Sequence, residues 1–423
     1  HLIADGWSRG VLFQELATNY RNHIQGKAAQ PLPELTVQYP DYVLQQQQWL
    51  KGEACQRQKA YWQQQLAELP ELTLPTDGFG GTDFVSRTCT QTFSIEQTQA
   101  IKALAKNSGV TVFMLLLAIF KLLLHRYTRQ RDIAVGVPVA GRKSSAVEPL
   151  IGFFVNTLVL RSQIDPQQQF SDWLKQVQST LADAFQNQDI PFSEVVDAVG
   201  AMRVPGKNPL FRVMFQVQSD GYQLQNAEAL NLDMPGLQLS QQWLKTEETK
   251  FDMSWHVIER DGRLLVAVEY RTALFAHARV ARMLSHFQTL TESVIANPVQ
   301  PVAQFSSLSS VEKEQILNNW SQGKTVALST RCFPARFEAQ VQKMPSAIAI
   351  TDNARKPQTT CYQLTYQQLN QRANKLAHWL RNQGVGPGVL VSVCVHPGLD
   401  LMTALLATLK AGGAYIPLDS SLP

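Results

Sequence analysis

His1 is separated by three residues from Asp5-Gly6, and the chain runs on through Trp7-Ser8 into apolar positions at Val11, Leu12, Leu16 and Tyr20. That spacing is the signature of an amphipathic helix opening on an Asp-Gly turn. An imidazole with a pKa near ~6.5 is suited to taking a proton from an attacking amine at neutral pH. The oriented N–H groups of a helix N-terminus can polarise a carbonyl. These residue types in this order therefore point to acyl transfer onto an amine. A histidine among eight carries little weight alone; the Asp-Gly that follows, able to aim the ring into a cleft, makes His1 a candidate. Asp5 reads first as a structural carboxylate that bridges to a cation or caps the turn, with direct catalysis as the second reading. Gly6 is expected where a Cβ would block the turn or the substrate.

The rest of the chain must position that loop. Residues 21–40 read as loop, with Pro31, Pro33 and Pro40, and a Gln-rich helix is predicted over 41–69, its Gln45–Gln48 run a solvated face. A turn-rich break follows at Leu74–Asp77 with Gly78, Gly80 and Gly81. Two helices are predicted over 95–128. The second contains the apolar run Val112–Phe120, broken by Lys121 before Leu122-Leu123-Leu124. The run is shorter than the ~20 residues of a membrane span, so a core helix is expected. Strands are predicted at 133–139, 153–161, 211–218 and 263–270, with helices at 170–187 and 275–296. Interleaved strands and long helices make an α/β (α+β layered) architecture.

Residues 297–330 change character, with Pro298, Pro301 and a Ser-rich patch at 306–310, and are expected to form a linker. From 331 a new unit begins. Its helix carries Leu369, Ala373, Leu376, Ala377 and Leu380 on one face, and a strand over 389–395, a helix over 399–411 and a strand over 414–418 make a βαβ unit. Lys410 to Gly413 reads as a helix C-cap, and no phosphate-loop pattern is present.

At 423 residues, with 44% apolar and 17% charged content, the chain is expected to form two or three globular domains. The net charge of +4 is dispersed, which argues against nucleic acid as a partner. The five cysteines are scattered and include no C-x-x-C pair, which argues for a reducing, cytoplasmic setting and against a structural metal. No membrane association is expected.

His1–Ser8 resembles the latter part of the double-histidine, Asp-Gly motif of condensation domains in non-ribosomal peptide synthetases. Further stretches resemble that family's signatures in order: Tyr39–Tyr42, Val137–Arg142, Ile151–Thr157, Asn187–Phe192, Lys207–Phe211 (with Lys where the family has Arg) and Lys250–Asp252. Leu364–Leu369 and Leu409–Asp419 resemble the first motifs of adenylation domains. With no initiator Met and the first motif histidine outside the chain, the sequence reads as a fragment. Its expected parts are a condensation domain lacking most of its N-terminal lobe (1–296), a linker (297–330) and the N-terminal part of an adenylation domain (331–423).

The resemblance implies a two-lobed fold like chloramphenicol acetyltransferase, followed by the first part of an acyl-adenylate-forming α/β domain. It implies peptide-bond formation between an upstream acyl or peptidyl thioester and a downstream aminoacyl thioester, each presented on 4'-phosphopantetheine by a partner carrier domain. ATP and Mg would serve only a complete adenylation domain. His1, Asp5 and Gly6 would be the site residues, with Arg142 one candidate partner for Asp5. No cofactor or metal is expected on this chain, and the fragment alone is expected to be inactive. The alternative is a non-catalytic or epimerising condensation-like domain that binds carrier proteins; an adenylation-like tail directly behind weighs against the epimerising form.

Overall fold

In the computed structural model, which describes residues 3–26, 32–78, 83–218, 234–237, 248–323, 332–352 and 362–419, the chain divides into two units, His1–Trp320 and Ser321–Pro423. The first unit opens with α1 (Gly6–Ile24), followed by α2 (Tyr39–Leu50) and α3 (Glu53–Gln65). The single helix predicted over 41–69 is thus two helices. Gly52 takes extended backbone (φ −89°, ψ 165°) as the N-cap of α3, and its N–H turns back to Trp49 O at 2.9 Å. Next come β1 (Ser86–Thr92), α4 (Ile95–Asn107), α5 (Val112–Thr128), β2 (Asp132–Val139), β3 (Asn156–Gln163), α6 (Phe170–Gln186) and α7 (Phe192–Val199). The unit continues with β4 (Val213–Gln218), β5 (Met253–Arg260), β6 (Arg263–Arg271), α8 (His277–Ala296) and the short α9 (Ser310–Glu314).

These strands form one mixed sheet in the order β1-β6-β5-β4-β2-β3. β4 runs parallel to β5 and to β2, and the remaining neighbours are antiparallel. Strand β1 carries mostly polar residues with only Cys89 buried, as an edge strand does, so its pattern gives little hydrophobic signal. The β5–β6 hairpin turns on Asp261-Gly262, both at positive φ (51° and 71°), the geometry that an Asp-Gly pair favours between twisted strands.

α5 is the core helix that its composition predicts. Thr111 caps it by accepting the Met114 N–H at 3.2 Å, and it ends at Arg129 in left-handed backbone. Leu115 through Leu124 are all buried. The helix packs on β2 and β4 of the sheet and against α4, α6 and α8, which is why it is apolar all round. Phe120 stacks on Phe215 and packs at a tilt against Trp255, with ring centres 4.8 and 4.9 Å away. Among the described residues no single helix is long and apolar enough to cross a membrane.

Behind α8 the chain remains seated on this unit. Arg126 reaches the carbonyls of Val302, Ala303 and Phe305 at 2.7–3.1 Å, and Val302 and Phe305 are buried. Tyr127, His286 and Glu312 form a hydrogen-bonded row that ties α9 to α5 and α8, at 2.7 and 2.9 Å.

The second unit contains α10 (Phe333–Lys343), β7 (Ile348–Asp352), β8 (Tyr362–Thr365), α11 (Tyr366–Asn382), β9 (Leu390–Val393), α12 (Leu399–Ala411) and β10 (Ala414–Pro417). β9 and β10 are parallel and joined through α12, the βαβ unit read from sequence. Thr365 and Gln368 form a capping box that starts α11, and Gly412 at φ 94° ends α12.

One polar group interrupts the core. The Lys121 ammonium is fully buried and donates to Leu160 O at 2.8 Å and Ser162 Oγ at 2.7 Å. Burial pushes its pKa down from 10.5 to about 7, despite the opposing pull of Asp132. Above about pH 7 the folded state has released this proton while the unfolded chain holds it up to about pH 10.5. Stability therefore rises with pH across that window. We expect the urea midpoint of the wild type to climb from pH 7 to pH 9 relative to that of Lys121→Met. Parallel pH profiles for the two proteins would remove Lys121 as the cause.

Candidate functional site

Asp5 has extended backbone (φ −103°, ψ −176°) and caps α1 by accepting the Ser8 N–H at 2.9 Å on Oδ1. Its other oxygen accepts the Phe154 N–H at 3.0 Å, and its own N–H donates to Gly152 O at 3.1 Å. Arg142 closes the arrangement by donating from Nη2 to Asp5 Oδ1 at 3.2 Å and to Ser8 Oγ at 2.8 Å. The Ser8 hydroxyl has Asp5 Oδ1 and Gly152 O as acceptors, both at 2.8 Å, and accepts from the Gly152 N–H at 3.1 Å. Burial alone would raise the Asp5 carboxyl. The N–H groups of Ser8 and Phe154, the Ser8 hydroxyl and the Arg142 guanidinium outweigh it and hold the pKa below the ordinary carboxylate value. Both readings of Asp5 as a structural group are therefore realised at once: it caps, and it bridges.

The arginine is as constrained as the acid. Its Nη1 lies against the carbonyls of Val147, Glu148 and Leu150 at 2.7–3.1 Å. Its planar head lies over the Phe154 ring, 4.0 Å from the centroid. Trp7 donates from its indole to Glu148 O at 2.9 Å, which pins the first turn of α1 to the same loop. Gly141 precedes the arginine at φ 69°, and a Cβ there would lie 2.0 Å from Phe154 O. At Gly152 a Cβ would enter the Tyr39 ring at 2.2 Å. Gly141 lets its segment approach the Phe154 backbone, and Gly152 lets the Tyr39 ring lie against its own.

Four of the stretches quoted from the sequence, Tyr39–Tyr42, Val137–Arg142, Ile151–Thr157 and Asn187–Phe192, meet around this point. Tyr39 and Tyr42 pack on Phe154 with ring centres 5.2 and 4.7 Å away, and Tyr39 Oη donates to Phe153 O at 3.0 Å. Asn156 reaches from Ile151–Thr157 to Asn187–Phe192, donating to Gln188 O and Ile190 O at 2.9 and 2.8 Å and accepting the Phe192 N–H at 3.0 Å. Lys143 pairs with Asp189. Lys207–Phe211 and Lys250–Asp252 join through stacked Phe211 and Phe251, 5.2 Å apart.

A cleft of about 470 Å³ opens where α1 begins. Asp5, Gly6 and Trp7 form one part of its lining, the end of β2 through Lys143 another, and Phe113, Phe185 and Gln188 a third. The end of β4 adds Gln216, Val217 and Gln218. Asp5, Gly6 and Arg142 are therefore brought together at one cavity, while His1 lies outside the described residues. Ser8, Phe154 and Gln216 were not read from the sequence as site residues. The one available signal was the alternation in β4, which sets Gln216 opposite the core-facing Phe215.

Known proteins share this fold. A crystal structure of a four-domain nonribosomal peptide synthetase bound to AMP and glycine superposes with a TM-score of 0.75 at 23% identity, over 99% of this chain and 32% of that one. The fold is thus that of peptide synthetase domains. The family model for the condensation domain matches residues 1–317, and that for AMP-binding enzymes matches 337–423. A linear gramicidin synthase of Brevibacillus parabrevis is 38% identical over the whole chain, and a surfactin synthase of Bacillus subtilis (strain 168) is 36% identical. The chain spans 8% and 11% of those two proteins. It belongs to the condensation-domain family of nonribosomal peptide synthetases, with a segment of an AMP-binding enzyme domain behind.

Removing the guanidinium leaves a buried carboxylate without its cation and three carbonyls without their donor. Arg142→Ala is expected to cost about 3–5 kcal/mol of stability, as for other broken buried pairs. Arg142→Lys should recover little, because an ammonium lacks the planar fork that meets Asp5, Ser8 and the carbonyls together. Urea unfolding of the two variants checks this, and full recovery with Lys would refute the geometric argument.

Proposed function

We propose that this chain takes part in non-ribosomal peptide synthesis, its condensation domain joining an upstream carrier-bound acyl or peptidyl thioester to the amine of a downstream carrier-bound aminoacyl thioester. The observation that carries the reading is the Asp-Gly loop, locked by Arg142 at the mouth of a cleft into which the start of α1 projects. The α-amine attacks the thioester carbonyl carbon, the C–N bond forms, the C–S bond breaks, and the proton lost by the amine balances the departing upstream thiolate, leaving an amide and a free thiol.

Each residue has a limited task in this reading. His1, by resemblance, orients the amine and accepts its proton. Gly6 is the first residue of α1, where N–H groups lack intrahelical acceptors, and in this reading a backbone N–H near it stabilises the oxyanion. Asp5 acts by holding the loop, since its oxygens are taken up by Ser8, Phe154 and Arg142. A free amine with pKa near ~8 and an activated thioester need little base strength. Orientation, worth up to ~7–11 kcal/mol in intramolecular attack, supplies the larger share.

The phosphopantetheine arm borne by each carrier supplies the thioester. The cleft suits such an arm, because its walls combine apolar Phe113, Val137, Val139 and Phe185 with the carboxamides of Gln188, Gln216 and Gln218. Residues 337–423 are read as part of an amino-acid-activating domain that uses ATP and Mg in its complete form. That a segment of this kind follows directly disfavours an epimerising domain.

The test is amide product from carriers loaded with donor and acceptor. In the intact synthetase, His1→Ala should lower the rate by roughly 10²-fold or more, the usual size of a proton-transfer contribution. Residues 1–423 alone should give no product. An undiminished rate in His1→Ala would sink the role of His1, and product from the chain alone would sink the expectation that it is inactive.

A further inference from the structure

Two polar side chains beside the cleft, one of them already named in its wall, take no part in the bond-making step above. Gln216 and His256 are register partners on the parallel strands β4 and β5. The Gln216 carboxamide meets His256 Nδ1, and Gln216 lines the cleft. Burial pushes the His256 pKa down to about 4, so the ring is neutral at physiological pH. A neutral imidazole has one donor and one acceptor nitrogen. Accepting at Nδ1 from Gln216 Nε2, it fixes the carboxamide rotamer, and no described residue donates to Gln216 Oε1.

The charged groups lining the cleft are already matched. Arg142 pairs with Asp5, and Lys143 pairs with Asp189. A substrate chain entering here therefore meets no uncompensated charge from the described lining. It does meet a fixed amide oxygen that loses water as the cleft fills. Leaving such an acceptor unpaired is costly, so a ligand that brings an N–H to it is favoured over one that does not.

Resting on the condensation reading, we propose that Gln216 is a specificity-determining residue, aimed by His256 as a positioning residue, that accepts a hydrogen bond from an N–H of an uncharged substrate chain seated in the cleft. That N–H belongs either to an internal amide of the upstream peptidyl group or to the amine of the downstream aminoacyl group.

The experiment uses the intact synthetase and two pairs of non-reactive pantetheine amides. One pair is a neutral dipeptidyl compound and its twin with an ester oxygen replacing the internal N–H. The other is an aminoacyl compound and its twin lacking the amine, compared at a pH about one unit above the amine's pKa of ~8 so that the amine is uncharged. Calorimetry should show one N–H compound binding about three- to tenfold more tightly than its twin, the range of a single net hydrogen bond. The pair that shows the gap identifies the source. Gln216→Leu should abolish the gap. His256→Phe should shrink it by freeing the carboxamide to turn, and His256→Asn, which keeps an acceptor on β5, should retain part of it. Equal binding within both pairs in the wild type overturns the proposal without recourse to any variant. So does a gap that survives Gln216→Leu. Amide product from loaded carriers is measured on the same wild-type sample: its absence defeats the condensation reading, while the binding gap still decides the role of Gln216.

Discussion

An arginine side chain 1% exposed faces an aspartate 4% exposed, and each ion is tolerable in that place only because of the other. Both ions also have several hydrogen-bond partners. Asp5 takes N–H donors from two chain segments, and Arg142 spreads its own donors over a hydroxyl and three carbonyls. Breaking any part strands a buried charge, so the loop before α1, the turn at Gly141 and the segment around Gly152 behave as one piece. The candidate site inherits its rigidity from this pair.

Rigidity has a chemical consequence. A reaction between an amine and a thioester asks less for a strong base than for two chains held in line. For the proposed reaction the cleft offers a helix N-terminus, apolar rings and carboxamides, and charges that are already neutralised. Asp5 has both carboxylate oxygens hydrogen-bonded and a pKa held below the ordinary carboxylate value.

The sheet and α5 carry this site from behind. Strands β2 and β4 deliver Val137–Val139 and Gln216–Gln218 to the cleft, and α5 fills the space beneath them with side chains buried from Leu115 to Leu124. Phe120, Phe215, Trp255 and Phe287 interlock there at centroid distances of 4.8–6.5 Å. Lys121 is tolerated in that core because two oxygens of β3 receive its protons.

Local pattern made much of this legible. The periodicity of α5, α11 and α12, the alternation of β2 and the βαβ path of the second unit all follow from residues within a few positions of one another. So do the turn signals: Asp261-Gly262 marks the β5–β6 hairpin, although the strand before it went unread, and Gly52 marks the break in a helix predicted as continuous. The polar edge strand β1 left no such trace. Sequence alone also determined the order of the motifs and named Arg142 as one possible cation for Asp5. Only the tertiary structure chose it, across 137 positions, and brought Ser8, Gly152 and Phe154 to the same two ions. The physical reason is that a buried charge selects its partners by the path of the whole chain, whereas helix and strand periodicity is settled within a turn or two.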